Sequence, residues 1–243
     1  MADDEDVVFT TSTGPVRVIT AASLFDGHDA AINVMRRLIQ SSGAEVIHLG
    51  HDQSAKAVVD CAIQEDAHAV ALTSYQGGHV EYFTYIRELL DEAGCEHVRI
   101  FGGGGGTITP PEIRTLHQSG ISKIYSPDDG RTMGLMGMIH HLMGQASEVD
   151  LVGKDRMDSL SGPVTPEDMA KVGLLLTLSE SADEKTFKAA VKACSSSDKD
   201  VPVIGFTGTG GAGKSSLLDE LMLRIHRDNP GQQVCLHCVD PTR

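Results

Sequence analysis

Five times within the first 145 residues, a short β-branched or apolar run gives way to a stretch of helical periodicity. No other feature of the chain constrains its fold as much. Val16–Ala21 reads as the first strand. A loop from Ala22 to His28 leads into a helix over 29–41, where Ile32, Met35 and Ile39 recur at helical spacing and Gly43 closes the run. Glu45–Leu49 is the second strand, and 54–66 the second helix, with Ala57, Val58, Cys61 and Ala62 on one face. Ala69–Thr73 is the third strand and precedes a helix over 79–93. Val98–Phe101 is the fourth and runs into five glycines, Gly102 to Gly106. Thr109, Pro110 and Glu112 then supply an N-cap, a proline at the first helical position and the acid of a capping box. That helix stops at Gly120, Ile121–Tyr125 is the fifth strand, and a methionine-rich helix spans about 130–143.

Strands joined through helices by short connections run parallel, and a parallel sheet is covered on both faces. The class is therefore α/β, and five units predict a flavodoxin-like five-stranded parallel sheet of order 2-1-3-4-5. In that order ligands meet the carboxyl ends of the strands, where the first and third diverge. The loops there hold Asp26-Gly27-His28, the run Ser74 to His79, and Gly102 to Gly106. Asp26 two positions before His28 suits a metal-ligating imidazole. A carboxylate accepting from one ring nitrogen fixes the tautomer and raises the basicity of the other. Ser74 suits a helix cap equally well. Five glycines cost folding entropy, and at a switch point they suit a ligand that lies directly against backbone. His51, His79 and His117 read as helix-surface histidines.

Composition removes some classes of function. Lys and Arg number 20 against 34 Asp and Glu, a formal charge of −14. A chain this acidic is a poor generic binder of nucleic acid or anionic membrane, so a phosphate ligand must be held by local geometry. No apolar run approaches the ~20 residues of a membrane-spanning helix. Residues 1–14 read as an acidic tail without the order of a secretory signal. Five irregularly spaced cysteines are not a disulfide framework, which favours a reducing cytoplasm.

Taken together, the three loops resemble the cobalamin-binding domain of adenosylcobalamin-dependent acyl-CoA mutases. That family's pattern is Asp-x-His-x-x-Gly, then Ser-x-Leu, then a Gly-Gly pair. Asp26, His28, Ser74 and Gly102, Gly103, Gly104 and Gly105 match in type and order. Ala31 stands in place of the pattern's glycine and Gln76 in place of its leucine, which sets a polar group beside the expected channel. The resemblance covers about 15–145 and implies adenosylcobalamin bound with His28 on the cobalt, replacing the cofactor's own dimethylbenzimidazole. Asp26 would orient His28, and the displaced tail would enter the cleft beside Ser74 and the glycines.

Residues 146–199 are polar and read as a helical linker. Thr165 to Asp168 start one helix, with Met169, Val172, Leu175 and Leu176 as its stripe. Ser181 and Glu184 form a capping box ahead of Phe187, Ala190, Val191 and Cys194. This pair is expected to dock between domains.

From residue 200 a second nucleotide-binding domain begins. Val201–Phe206 has the pattern of a buried strand, and Gly208-Thr209-Gly210-Gly211-Ala212-Gly213-Lys214-Ser215 fits the phosphate-loop motif without exception. Loop N–H groups at Gly208, Gly210, Gly211, Ala212 and Gly213, with the start of a helix at Ser216, suit phosphates; Lys214 suits the β and γ phosphates and Ser215 a Mg²⁺ ion. Val234–Val239 reads as the next strand, followed by Asp240-Pro241-Thr242-Arg243, where Asp240 is a weaker candidate for magnesium. Cys235 and Cys238 face opposite sides of such a strand and read as core thiols. This segment resembles the start of the GTPases that act as chaperones for cobalamin mutases, truncated at 243.

The order cobalamin domain, linker, P-loop resembles that of acyl-CoA mutases fused to their chaperone. It implies rearrangement of an acyl-CoA, of the isobutyryl-CoA to n-butyryl-CoA type, with GTP and Mg²⁺ at the P-loop. The substrate barrel would lie downstream, and the full-length form would be a homodimer. The segment alone is expected to be inactive as a mutase. Two alternatives are a cobalamin carrier or sensor attached to a P-loop NTPase, and a receiver-like regulator. Thr73-Ser74, standing where a receiver needs its phosphoacceptor aspartate, counts against the latter.

Overall fold

The computed structural model describes residues 8–165, 167–195 and 201–238. The chain divides into two units, Met1–Ser197 and Asp198–Arg243.

The first unit opens with a small antiparallel ladder of β1 (Thr10–Thr11) and β2 (Gly14–Pro15). Just before it, Phe9 packs against the core and donates its N–H to Ser42 O at 3.1 Å. The end of the expected acidic tail is therefore ordered. The charge of residues 1–6 conceals an apolar anchor a few positions later.

The five expected units follow: β3 (Arg17–Ser23), α1 (Asp29–Ser41), β4 (Glu45–Gln53), α2 (Ala55–Gln64), β5 (Ala69–Thr73), α3 (His79–Glu92), β6 (Arg99–Gly103), α4 (Pro110–Gln118), β7 (Lys123–Tyr125) and α5 (Pro127–Ser147). The strands form one parallel sheet in the order β4-β3-β5-β6-β7, which is the 2-1-3-4-5 arrangement. Side chains alternate between its faces. Ile19, Val70, Leu72 and Ile100 pack towards α2, α3 and α4. Val16, Val18, Ala69, Ala71 and Phe101 pack towards α1 and α5. The second face carries alanines on β5, and their small size leaves room beneath α1 and α5.

Two departures from the expected boundaries shape the top of the sheet. Strand β4 runs past Leu49 to Gln53, with a break in its register against β3 and left-handed backbone at Gly50 and Asp52. The extension brings Asp52 Oδ1 to the N–H of Phe25 at 2.6 Å, and Asp52 N–H to Asp26 O at 3.3 Å. Helix α5 begins at Pro127 rather than 130, because Ser126 and Asp129 form a second capping box with proline at the helix start. It breaks at Gly134, where φ is 68° and ψ 175°.

The linker holds α6 (Lys154–Ser159), α7 (Met169–Ser181) and α8 (Glu184–Cys194). The cap of α8 is Asp183, whose Oδ1 accepts from Lys185 and Thr186, and not Ser181. These helices share a small core of Leu160, Leu174, Leu178, Ala190 and Cys194. They also dock onto the sheet-bearing part of the same unit. Gly173 lies so close to Ile63 O that an added Cβ would come within 2.8 Å. Buried Asp66 accepts from Arg156 Nη2 at 2.6 Å and from Thr177 Oγ1 at 2.7 Å, while Arg17 Nη2 donates to Thr177 Oγ1 at 2.7 Å. A buried carboxylate costs several kcal/mol unless paired, and two guanidinium groups answer that cost here. Beside them His68 Nδ1 accepts the Arg17 N–H at 3.0 Å, and burial with the nearby Arg17 charge pushes the ring down to about 4.

In the second unit the described residues form one helix, α9 (Lys214–Asp228), two residues earlier than the expected start at Ser216. The expected strands Val201–Phe206 and Val234–Val239 do not form over their described residues; Val203 is 94% exposed. A strand is held by its neighbours, and neither run has a partner among the described residues. Cys235 and Cys238 are exposed, not core thiols. Asp240 lies outside the described residues.

Candidate functional site

The loops after β3, β5 and β6 meet at the carboxyl edge of the sheet, as the strand order requires. Asp26 is 1% exposed. Its Oδ1 accepts the His28 N–H at 3.0 Å and pairs with His28 Nδ1 at 2.8 Å, and its Oδ2 accepts the Tyr75 N–H at 2.6 Å. Burial pushes the carboxyl up, but the N–H groups of Tyr75 and His28 and the His28 ring outweigh it and hold the group below its ordinary value. Asp26 is thus a fixed anion, and it makes Nδ1 the protonated nitrogen of His28. The His28 side chain is 74% exposed and its Nε2 makes no hydrogen bond among the described residues. An imidazole held at one nitrogen with the other open to solvent is an arrangement that suits a metal ligand. Among the described residues no group of three or more His, Cys, Asp or Glu is placed to hold a metal ion.

Next to this pair a cavity of about 460 Å³ opens under α1 and α5. Met35, Ala71, Phe101, Met138 and Leu142 make it apolar, and Gly102 to Gly105 lend it their backbone. The glycines are needed for different reasons. A Cβ on Gly102 would strike the Phe83 ring, and one on Gly104 would strike Ser74 O. Gly103 O accepts the Ser74 N–H at 2.9 Å, which laces the two loops together.

Several neighbouring residues sit differently from their sequence readings. Ser74 does not line the cavity; its hydroxyl accepts from Ser23 Oγ at 2.9 Å. Thr73 lines it, with a buried Oγ1 that has no partner among the described residues. The period-two alternation of β5 carried the signal, since Ala69, Ala71 and Thr73 share the cavity face. Gln76 does not present its amide to the cavity but donates it to Leu24 O. His79 is buried rather than on a helix surface, its Nδ1 bonded to Gln76 O at 3.0 Å and its Nε2 3.3 Å from Glu112. Ala31 lines the cavity, so its methyl replaces the hydrogen of the pattern's glycine at the wall.

These groups fit a base-off corrinoid. One exposed imidazole suits the metal, an apolar slot suits a flat base, and the orphaned Thr73 hydroxyl in that slot lacks the partner that a buried polar group requires.

In the second unit, Gly208 to Gly213 wrap around the start of α9, with Gly211 and Gly213 in left-handed backbone. Lys214 Nζ donates to Gly208 O at 2.8 Å and Thr209 O at 3.0 Å. Ser215 and Ser216 lie in the first turn of α9, and Gly210 and Ala212 complete the loop.

Residues 16–130 match the family described as B12 binding domain. The 2-hydroxyisobutanoyl-CoA mutase small subunit of Aquincola tertiaricarbonis is 34% identical over 115 residues, which are 47% of this chain and 82% of that subunit. The chain belongs to this B12-binding family of acyl-CoA mutases. Over nearly its whole length it is similar to fused isobutyryl-CoA mutases. That of Geobacillus kaustophilus is 48% identical over 236 residues, 94% of this chain. That of Nocardia farcinica is 50% identical over 230 residues, also 94% of this chain. The chain spans 21% of the length of either fused relative.

Proposed function

We propose that this chain is the cofactor-holding portion of an adenosylcobalamin-dependent acyl-CoA mutase, of the isobutyryl-CoA to n-butyryl-CoA type, fused to a GTPase chaperone. The Asp26–His28 pair beside an apolar cavity carries the reading. When bound, the cofactor supplies a carbon-centred radical by homolysis of its cobalt–carbon bond. The chain's own work is to hold it. Asp26 keeps the proton on Nδ1 of His28 and so keeps the Nε2 lone pair available to cobalt. Thr73 would offer its hydroxyl to the cofactor's tail, and Gly102 to Gly105 would let backbone close on it.

The P-loop completes the reading. Lys214 would exchange the carbonyls of Gly208 and Thr209 for the β and γ phosphates of GTP, the N–H groups of the loop and of Ser216 would hold the remaining oxygens, and Ser215 would hold Mg²⁺. Asp240 would be a further, weaker candidate for the magnesium ion. The acyl-CoA is held by a barrel in the full-length protein, a cytoplasmic homodimer.

The test is electron paramagnetic resonance of the Co(II) form bound to the chain grown with ¹⁵N-histidine. A label-dependent splitting that vanishes in His28→Ala is expected. A splitting indifferent to the label removes His28 as the ligand.

A further inference from the structure

Tyr75 touches every part of the site without belonging to the pattern that revealed it. Its main-chain N–H donates to Asp26 Oδ2 at 2.6 Å. Its ring lies 5.5 Å from the His28 ring, centroid to centroid, at 46°. The same residue lines the cavity. Gly105, in left-handed backbone at φ 57°, makes room for the ring, since a Cβ there would come within 3.3 Å of Tyr75 Cε1.

We infer that Tyr75 is a positioning residue for His28, its ring bracing the imidazole on Asp26 and separating it from whatever base occupies the cavity. The inference rests on the reading of His28 as cobalt ligand. The need for a brace follows from exposure. With its side chain 74% exposed and a single ring hydrogen bond, His28 can pivot about the Nδ1 contact. A tilted aromatic neighbour removes part of that freedom before any metal arrives, so less ordering remains to be done on binding. The wall has a second effect. A corrinoid's own tail base and His28 compete for one axial position, and a ring lying against one and lining the space of the other favours the protein ligand.

A residue that merely walls the cavity and one that acts through His28 are separable. Binding of cob(II)alamin and of a tail-less corrinoid, cobinamide, is measured on the full chain by calorimetry. The proteins are wild type, Tyr75→Leu, Tyr75→Phe, His28→Ala and the double variant, with ¹⁵N-histidine spectra for each bound form. Tyr75→Leu should weaken both ligands roughly two- to tenfold, the size of one aromatic contact. It should also reduce the label-dependent splitting. Tyr75→Phe should behave as wild type, and Tyr75→Leu should cost nothing further once His28 is alanine. A loss confined to the tail-bearing ligand, an equal loss in the His28→Ala background, or no loss at all overturns the inference. A wild-type spectrum without label dependence overturns the assignment of His28 itself, which is a different result. Melting curves check that the leucine variant folds; if it does not, Tyr75→Met takes its place in the same cycle.

Discussion

Replacing Asp26 by asparagine keeps shape and removes charge. Three donors point at this carboxylate: the N–H groups of His28 and Tyr75, and Nδ1 of His28. The amide oxygen of asparagine can serve the two His28 donors, but its NH₂ then faces the Tyr75 N–H. One buried donor is left unmet at a cost of ~1–3 kcal/mol, and the surviving bonds lose their charge assistance. A loss of about 2 kcal/mol lowers the melting temperature of a unit of this size by roughly 4–8 °C. If the oxygen turns to Tyr75 instead, His28 loses its orienting acceptor and Nδ1–H is no longer favoured. Either way the proposed ligand, His28, is less well prepared, and loss of such a supporting carboxylate weakens metal binding by roughly 10- to 100-fold. Calorimetric titration of Asp26→Asn with cob(II)alamin, beside a thermal melt of the free protein, measures both effects. Wild-type affinity together with a wild-type melt would refute the reasoning, because it would mean that three short bonds to a buried anion contribute nothing.

Gly104→Ala forces a methyl onto Ser74 O and should destabilise the first unit by ~1–3 kcal/mol, read by urea unfolding; an unchanged midpoint counts against the close approach of the two loops. Arg156→Ala leaves Asp66 short of one guanidinium and should cost about 3 kcal/mol, while Arg156→Lys recovers part of it. Asp129 is held at about 2: burial opposes this, but the Ser126 N–H and the Lys123 ammonium prevail. Its pKa is depressed in the fold, so its contribution, about 2 kcal/mol, is complete above pH ~4 and is lost as pH falls through 2. Unfolding of wild type and Asp129→Asn should therefore converge on acidification, and a gap constant from pH 5 to pH 2 rejects the assignment. Lys214→Ala should abolish binding of a fluorescent GTP analogue in the presence of Mg²⁺ while leaving cob(II)alamin binding unchanged, and retained nucleotide affinity removes the lysine from that role.

The sheet was legible because its signal is repeated. Five apolar runs separated by five helical periods leave few alternatives, and parallel pairing with a covered sheet follows from the short connections. Asp26 and His28 stood out only in combination with Ser74 and the glycine run, because a carboxylate and an imidazole two residues apart are by themselves too short a pattern to be specific. Thr73, which lines the cavity, drew no attention beside Ser74. A hydroxyl's role depends on which face of the strand it occupies, and one step along a strand reverses the face. The Ser126–Asp129 cap of α5 was overlooked for the glycine at 130, although its serine, proline and acid were all present. The buried set of Arg17, Asp66, Arg156 and Thr177 could not be read, since its members stand as much as 160 residues apart and only the docking of α7 on α2 brings them together. The strands expected from 201 onward show the opposite failure. β-branched runs have the right composition, but composition does not supply a neighbour to pair with.

That Asp66 set has a practical consequence for anyone dissecting the protein. Cutting the chain after α5 looks natural from the sheet alone. The cut discards Arg156 and Thr177 and exposes to water an aspartate whose two remaining neighbours, Arg17 and His68, were arranged for a dry interior. The smallest piece that carries its own electrostatic closure runs through α7, and Ala190 and Cys194 of α8 complete the apolar core beneath it, so the segment that resembles a tether is the last wall of the cofactor domain.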